Sequence, residues 1–267
     1  MKLSIITVNL NNRDGLLKTL NSVLSQSFTD FEWIVIDGGS TDGSKELLEH
    51  NNDKIDYWVS EEDAGIYNAM NKGTMLAKGD FCQYLNSGDY YVDENVLANV
   101  FEKELSGDVN YGDVYCVTSS GLEHRQYPEE IGLPFLLKAP LGHQAAFIRA
   151  ELAKTNLYKE RYTISADRAF FLDAYCLNRK FHHLDMPIVY FDVYGIGSRP
   201  ESFTERAKQF KDIKSQLFAS QVLRDIDKWM YIEEEFSFVM RVWPIRFVYQ
   251  ICKKIKSWRD SILKIIR

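Results

Sequence analysis

Carboxylates that follow apolar runs are the residues of this chain whose setting first suggests chemistry. In Ile34-Val35-Ile36-Asp37-Gly38-Gly39-Ser40-Thr41-Asp42-Gly43-Ser44 an apolar run ends in Asp37 and a glycine-rich turn. A carboxylate there can accept a hydrogen bond from a nucleotide base, while the amides beyond it approach a phosphate closely. The same residues also suit a plain helix start, with Thr41 or Asp42 as the capping residue. Tyr84-Leu85-Asn86-Ser87-Gly88-Asp89 repeats the pattern with short oxygen-bearing side chains. Such oxygens suit a hard divalent cation bridging to a diphosphate, and they suit an ordinary turn equally. Glu61-Glu62-Asp63-Ala64-Gly65 closes a third run, and Lys72 lies on the helix that follows, free to meet a phosphate or simply to be solvated. Asp167, in Thr163-Ile164-Ser165-Ala166-Asp167-Arg168, can act as a general base or as a helix cap. His143-Gln144 and His182-His183 lack Cys, Asp or Glu at ligand spacing, so no zinc site is expected.

Positioning these groups falls to an alternation of short apolar runs with helical periodicity, the pattern of a mostly parallel sheet wrapped by helices. Strands are expected over Leu3 to Val8, Phe31 to Ile36, Ile55 to Val59 and Phe81 to Leu85. Between them, Leu16, Leu17, Leu20, Val23 and Leu24 form one apolar helical stripe, and Ile66, Ala69, Met70 and Gly73 form another. Asp93 is the expected N-cap of a helix carrying Val96, Leu97, Val100 and Phe101. In open sheets of this kind ligands bind beyond the carboxyl ends of the strands, so the loops after Val8, Ile36, Val59 and Leu85 should share one rim. From Asp108 to Phe147 a Ser119-Ser120-Gly121 turn between Tyr- and Val-rich runs predicts a hairpin or mixed-sheet region. Ser165 to Leu177 reads as helix, His182 to Phe191 as strand, and residues 201–235 as helix.

The net charge of −6 conceals an asymmetry: residues 241–267 carry +7 and residues 1–240 carry −13. An acidic body excludes a nucleic-acid binder, which must meet phosphates with a basic surface. Cys82, Cys116, Cys176 and Cys252 show no paired spacing and are expected to be reduced thiols. The first residues lack the pattern of a secretory signal, which points to the cytoplasm. In the last segment Trp243, Phe247, Ile251, Ile255, Trp258, Ile262 and Ile266 recur at helical spacing among basic residues. That stripe suits an anionic membrane surface, or alternatively docking on protein. Three regions are therefore expected: a catalytic domain over 1–200, a helical extension over 201–240 and a basic amphipathic helix over 241–267.

Taken in order, these segments resemble the family-2 glycosyltransferases of bacterial polysaccharide assembly. The carriers are Ser4 to Asn9, Asp37 to Ser44, Asp63 to Gly73, Leu85 to Asp89, Gly142-His143-Gln144 and Ser165-Ala166-Asp167. The resemblance spans about the first 200 residues and implies an α/β, GT-A-like nucleotide-sugar-binding sandwich with C-terminal helices. It places Thr7, Asn9 and Asp37 around the nucleoside with Asp63 and Lys72 nearby, and Asn86 and Ser87 at the nucleotide's diphosphate. Asp89 takes the metal-binding role for Mn or Mg, and Asp167 the catalytic base. His143, Gln144 and the Gly195-Ile196-Gly197-Ser198 loop fall near the sugar, the leaving diphosphate or the acceptor.

Asn86 and Gly88 stand where that family has two carboxylates, and Gly38 where many members have a second acid beside Asp37. Either Asp89 holds a cation with neutral oxygens and water, or cation dependence is weak. The implied reaction is an inverting displacement from a UDP-linked sugar onto a hydroxyl of a glycan or lipid-linked acceptor, at the inner face of a membrane. The alternatives are a non-catalytic sugar-nucleotide-binding or scaffold protein and a nucleotidyltransferase. The latter's Gly-rich loop after the first strand is replaced here by Asn9-Leu10-Asn11-Asn12-Arg13.

Overall fold

Strand β1 (Leu3–Asn9) is buried along its whole length, as a strand covered by helices on both faces must be. The computed structural model describes residues 1–192 and 202–219, with positions 222, 228 and 231 beyond them. β1 pairs in parallel with β2 (Phe31–Asp37) on one side and β4 (Phe81–Tyr84) on the other, and β2 pairs in parallel with β3 (Tyr57–Ser60). Helices α1 (Arg13–Leu24), α2 (Ser44–His50) and α3 (Ile66–Leu76) make the crossovers.

After β4 the sheet becomes mixed. A two-residue β5 (Tyr90–Tyr91) and helix α4 (Val96–Glu102) precede the hairpin of β6 (Val109–Thr118) and β7 (Gly121–Arg125). The chain continues through α5 (Leu133–Lys138), a 3-10 turn over His143–Ala145, β8 (Ala146–Arg149) and α6 (Ala150–Thr155). Helix α7 (Ala166–Cys176), β9 (Phe181–Asp192) and α8 (Ser202–Leu217) complete the described elements. The strand order is β3-β2-β1-β4-β8-β6-β9-β5, with β7 on the outside of β6. β6 pairs in parallel with β9, while β4 with β8, β8 with β6, and β9 with β5 run antiparallel.

The core fills both faces with Leu3, Ile5, Trp33, Tyr84, Phe147 and Phe171, none more than 1% exposed. Two expected caps move. Helix α4 has Asn95 at its N-cap, and Asp93 lies outside the helix, accepting the Asn95 amide at 2.8 Å. Helix α2 has Gly43 at its N-cap instead of Thr41 or Asp42, although Asp42 still binds the Ser44 amide at 3.1 Å and the Arg13 amide at 2.8 Å. One carboxylate thus serves the first turns of two helices, where negative charge is favoured.

By its contacts the chain divides into a unit over Met1–Ile213 and one over Lys214–Arg267. The first unit runs past the boundary expected at 200, because Gln209 on α8 accepts the amides of Ile164 and Ser165 at 3.1 and 3.2 Å. In the second, the isolated described positions Val222 and Tyr231 are exposed. Cys82, Cys116 and Cys176 are free thiols. Cys252, the Gly195–Ser198 loop and the basic stripe of 241–267 lie outside the described residues. Among those described, no helix is long and apolar enough to cross a membrane.

Candidate active site

The parallel register brings the ends of β1, β2, β3 and β4 to one edge, and hydrogen bonds tie the loops that leave them. Gly38 N donates to Asn9 O at 2.8 Å, Glu61 N to Asp37 O at 3.0 Å and Ser87 N to Val8 O at 3.1 Å. Asn11 N donates to Ser40 Oγ at 2.7 Å, and Asn12 Nδ2 to Ser87 O at 3.0 Å. The shared rim expected from the sequence is therefore a bonded frame.

Asp37 lies beneath that frame, fully buried. Its Oδ1 accepts from Asn9 Nδ2 at 2.7 Å and Ser40 Oγ at 2.5 Å; its Oδ2 accepts from the Ser40 amide at 2.9 Å and Ser60 Oγ at 2.6 Å. Burial alone pushes its carboxyl up, but the bonds from Ser40, Ser60, Asn9 and the Ser40 amide outweigh it and hold the group below the ordinary carboxylate value. Four donors occupy the lone pairs of both oxygens. Asp37 thus organises the loop ends from below.

Thr7 and Asn9 share that task. The Thr7 hydroxyl accepts from the Trp33 indole at 2.9 Å and donates to Leu85 O at 2.8 Å, binding three strands together. Asn9 is 4% exposed, its amide spent on Asp37 and Ser40 and its Oδ1 buried without a partner.

Asp63, by contrast, reaches the rim. Its Oδ1 accepts the Gly65 amide at 2.7 Å, and its Oδ2 lies 2.7 Å from where a Cβ on residue 38 would stand. Gly38 leaves that space open, and the Asp63 carboxylate stands against it. Lys72 pairs with Glu61 at 2.8 Å and lines a cleft of about 490 Å³ beside β3 together with Tyr57, Asn68 and Met75. Its ammonium is held by a carboxylate there, in a pair that is partly exposed on both sides.

At the end of β4 the Asn86–Asp89 turn is pinned from within. The buried Thr19 hydroxyl sits 2.8 Å from Asp89 O and 3.3 Å from Asn86 O and accepts the Gly88 amide at 3.0 Å. Asp89 itself is 6% exposed. Asn86 Nδ2 stands 3.2 Å from His143 Nε2, and Asn86 Oδ1 is buried with no partner. On its other side the His143 ring faces Asp167, Nδ1 to Oδ2 at 3.6 Å. Gln144 is buried, and its carbonyl accepts from Gln83 Nε2 at 2.9 Å, so it anchors the turn that carries His143.

Asp167 lies in the first turn of α7, 100 residues beyond Tyr67, whose hydroxyl reaches its Oδ1 at 3.2 Å. Ser165 takes the N-cap position that Asp167 alone suggested, although Asp167 Oδ1 does accept the amide of Arg168 at 2.8 Å. Asn86, His143 and Asp167 thus form a continuous line of polar side chains at the rim. His182 and His183 belong to the sheet, at 3.2 Å from Asn110 Oδ1 and 3.0 Å from Asp113 Oδ1.

The family model for glycosyl transferase family 2 matches residues 4–173, the stretch that builds this rim. The chain belongs to that family. An uncharacterized glycosyltransferase of Mycobacterium tuberculosis is 34% identical over 205 residues, covering 74% of this chain and 78% of its own. A PGL/p-HBAD biosynthesis glycosyltransferase of Mycobacterium bovis is 32% identical over 175 residues, covering 62% of this chain and 67% of its own. The crystal structure of S. aureus TarS is 25% identical with a TM-score of 0.62; the match takes in 79% of this chain and 39% of TarS. TarS residues 1–349 have also been solved in complex with UDP-GlcNAc, at 22% identity and a TM-score of 0.63, with 80% of this chain and 66% of that one matched. The α/β architecture is thus the GT-A fold of the family-2 glycosyltransferases.

Sequence reasoning for this family-2 chain missed Thr19, Trp33, Ser40, Ser60 and Gln83, which act through buried or partly buried bonds to neighbouring loops and strands. Ser40 alone carried a signal, as the polar residue that closes the Asp37 turn.

Proposed function

We propose that this family-2 chain is an inverting glycosyltransferase of bacterial surface polysaccharide biosynthesis. It moves a sugar from a UDP-linked donor to a hydroxyl of a glycan or lipid-linked acceptor. The observation that carries this reading is the line Asn86, His143, Asp167, which sets a partly exposed carboxylate beside the turn that takes the place of the family's diphosphate motif. The family match and the UDP-GlcNAc complex of TarS support a sugar nucleotide as donor.

In the reaction the acceptor oxygen attacks the anomeric carbon as that carbon's bond to the diphosphate breaks, so configuration inverts. Asp167 takes the hydroxyl proton, and no covalent sugar intermediate forms. Asp63, standing against Gly38, reads the base through an imide N–H, which favours uracil. Asn86 and Ser87 face the diphosphate, and His143 lies where the sugar and acceptor meet.

The Asn86–Asp89 turn contains one carboxylate among neutral oxygens, and among the described residues no three His, Cys, Asp or Glu side chains gather around one point. That donor set fits a hard cation, Mg or Mn, that takes most of its oxygens from the diphosphate and water. Asp89 would hold it, and when bound it would neutralise charge on the departing diphosphate. The basic stripe of 241–267 would bring the catalytic unit to an anionic, cytoplasmic membrane face where a lipid-linked acceptor lies.

Asp167→Asn tests the reading. UDP release from the best of a panel of UDP-sugars should fall by about 100-fold or more, while the UDP-induced rise in melting temperature stays as in the wild type. Turnover at the original rate would remove Asp167 from the mechanism and leave a binding protein as the better description.

A further inference from the structure

Asp167 is approached from both sides by residues from distant parts of the chain. Tyr67, in the first turn of α3, is 6% exposed and packs against Tyr158 with ring centroids 5.4 Å apart. Its hydroxyl is 2.9 Å from Ile164 O and 3.2 Å from Asp167 Oδ1. Burial, reinforced by the Asp167 charge, pushes this phenol well above its ordinary value, so it stays a neutral donor. On the opposite side the His143 ring lies against Asp167 Oδ2, Nδ1 to oxygen at 3.6 Å.

The turn bearing His143 is fixed as firmly. Gly142 N donates to Tyr127 Oη at 3.0 Å, and Gln83, itself buried, holds the Gln144 carbonyl. A Cβ at residue 142 would stand 2.8 Å from Tyr127 Oη, so only glycine lets the two meet. Buried groups from β4 and from the segment between β7 and α5 therefore converge on one short turn, which holds the mostly buried His143 ring in place.

We propose that Tyr67 and His143 are positioning residues for Asp167, holding its carboxylate in one orientation from the Oδ1 and Oδ2 sides. The inference rests on the proposed role of Asp167 as the base. A separation of 3.6 Å is just beyond a hydrogen bond, and such contacts often tighten only when substrate is bound. Tyr67 also connects two functions: it lies one turn beyond Asp63, so the helix start that follows the nucleoside contact also steadies the base.

The test compares Tyr67→Phe, His143→Gln and Asp167→Asn in the full chain. Three readouts are taken: UDP release from the UDP-sugar that the wild type turns over fastest, UDP affinity by calorimetry, and melting temperature. Tyr67→Phe keeps the ring in its aromatic cluster and should lower kcat about tenfold or more, with donor KM and UDP affinity within twofold of wild type. His143→Gln, made on a separate element, should lower kcat in the same way and stands in if Tyr67→Phe fails to fold. Unchanged kcat in the folded variants, beside an inactive Asp167→Asn, would overturn the clamp and leave the base assignment standing. A fall in kcat accompanied by an equal loss of UDP affinity would also overturn it, since that is what mere loosening of α3 would give. Full activity in Asp167→Asn, or no turnover of any UDP-sugar by the wild type, would remove the proposed function and this inference with it.

Discussion

Replacing Asp37 with asparagine separates a buried organiser from a base-reading residue. In the folded protein four donors converge on the two oxygens: Asn9 Nδ2, Ser40 Oγ, the Ser40 amide and Ser60 Oγ. Asparagine has one acceptor oxygen, which must stay with the Ser40 amide because a backbone N–H cannot turn round. The new NH₂ then faces Asn9, whose own Oδ1 is buried without a partner and can rotate to accept it. The net loss is the charge assistance of the remaining bonds, about 2–3 kcal/mol. For a chain of this size that is a fall in melting temperature of about 4–12 °C. Asp37→Ala leaves the Ser40 amide with nothing and should cost more.

The pH dependence has a definite sign. Because the folded carboxyl is held below its ordinary value, its contribution is complete above the unfolded pKa and is lost as pH falls through the folded one. Wild-type stability should therefore decline as pH drops below about 4, and Asp37→Asn should lose part of that decline. Melting curves at pH 7 and in acid, with UDP titrations well below the transition, provide the data. A variant that melts with the wild type yet binds UDP tenfold more weakly would refute the buried-organiser argument and restore Asp37 as a direct base contact.

Gly38→Ala brings a Cβ to 2.7 Å from Asp63 Oδ2 and should displace that carboxylate, weakening UDP binding several-fold in a calorimetric titration with little change in melting temperature. Asp89→Asn should reduce the extra thermal stabilisation that Mn²⁺ or Mg²⁺ adds to UDP while leaving the shift seen in EDTA in place; an unchanged metal effect would move the cation elsewhere. Trp33→Phe removes the donor to the Thr7 hydroxyl and part of a fully buried ring, and chemical denaturation should show a loss of about 2–4 kcal/mol. Truncation after residue 240 should abolish cosedimentation with anionic vesicles, and undiminished binding would place the membrane contact outside the basic stripe.

Much of the parallel part was legible because its signals are local. Apolar runs buried on both faces cannot be confused with loops, and β1, β2 and β4 start at the residues the sequence indicates. In the mixed part the hairpin and the strand over His182 to Phe191 were legible, but their pairing was not. The parallel pairing of β6 with β9 joins segments that no local pattern relates. Capping residues shifted for a similar reason: Asp93 and Asp42 do bond amides near helix starts, but the helix begins where the packed face begins. At the site, residue type identified the carboxylates and not their exposure. Asp37 and Asp63 look alike in sequence, yet one is sealed by Ser40 and Ser60 and the other stands at the rim. The contact of Tyr67 with Asp167 depends on α3 and α7 meeting in space, which spacing along the chain does not encode.

The place of β4 in the sheet has a consequence for how the protein is made. Its neighbours are β1, already synthesised, and β8, which comes more than sixty residues later. A chain emerging from the ribosome can therefore assemble β3-β2-β1-β4 early, while the outer edge of β4 stays open until Ala146–Arg149 appears. All four residues of β4 are buried in the finished sheet, so this interval exposes a short apolar edge with unpaired amides, the kind of surface that recruits other strands. Protection of that edge during synthesis, by rapid translation of residues 85–145 or by a chaperone, should govern the yield of folded protein more strongly than any single contact at the rim.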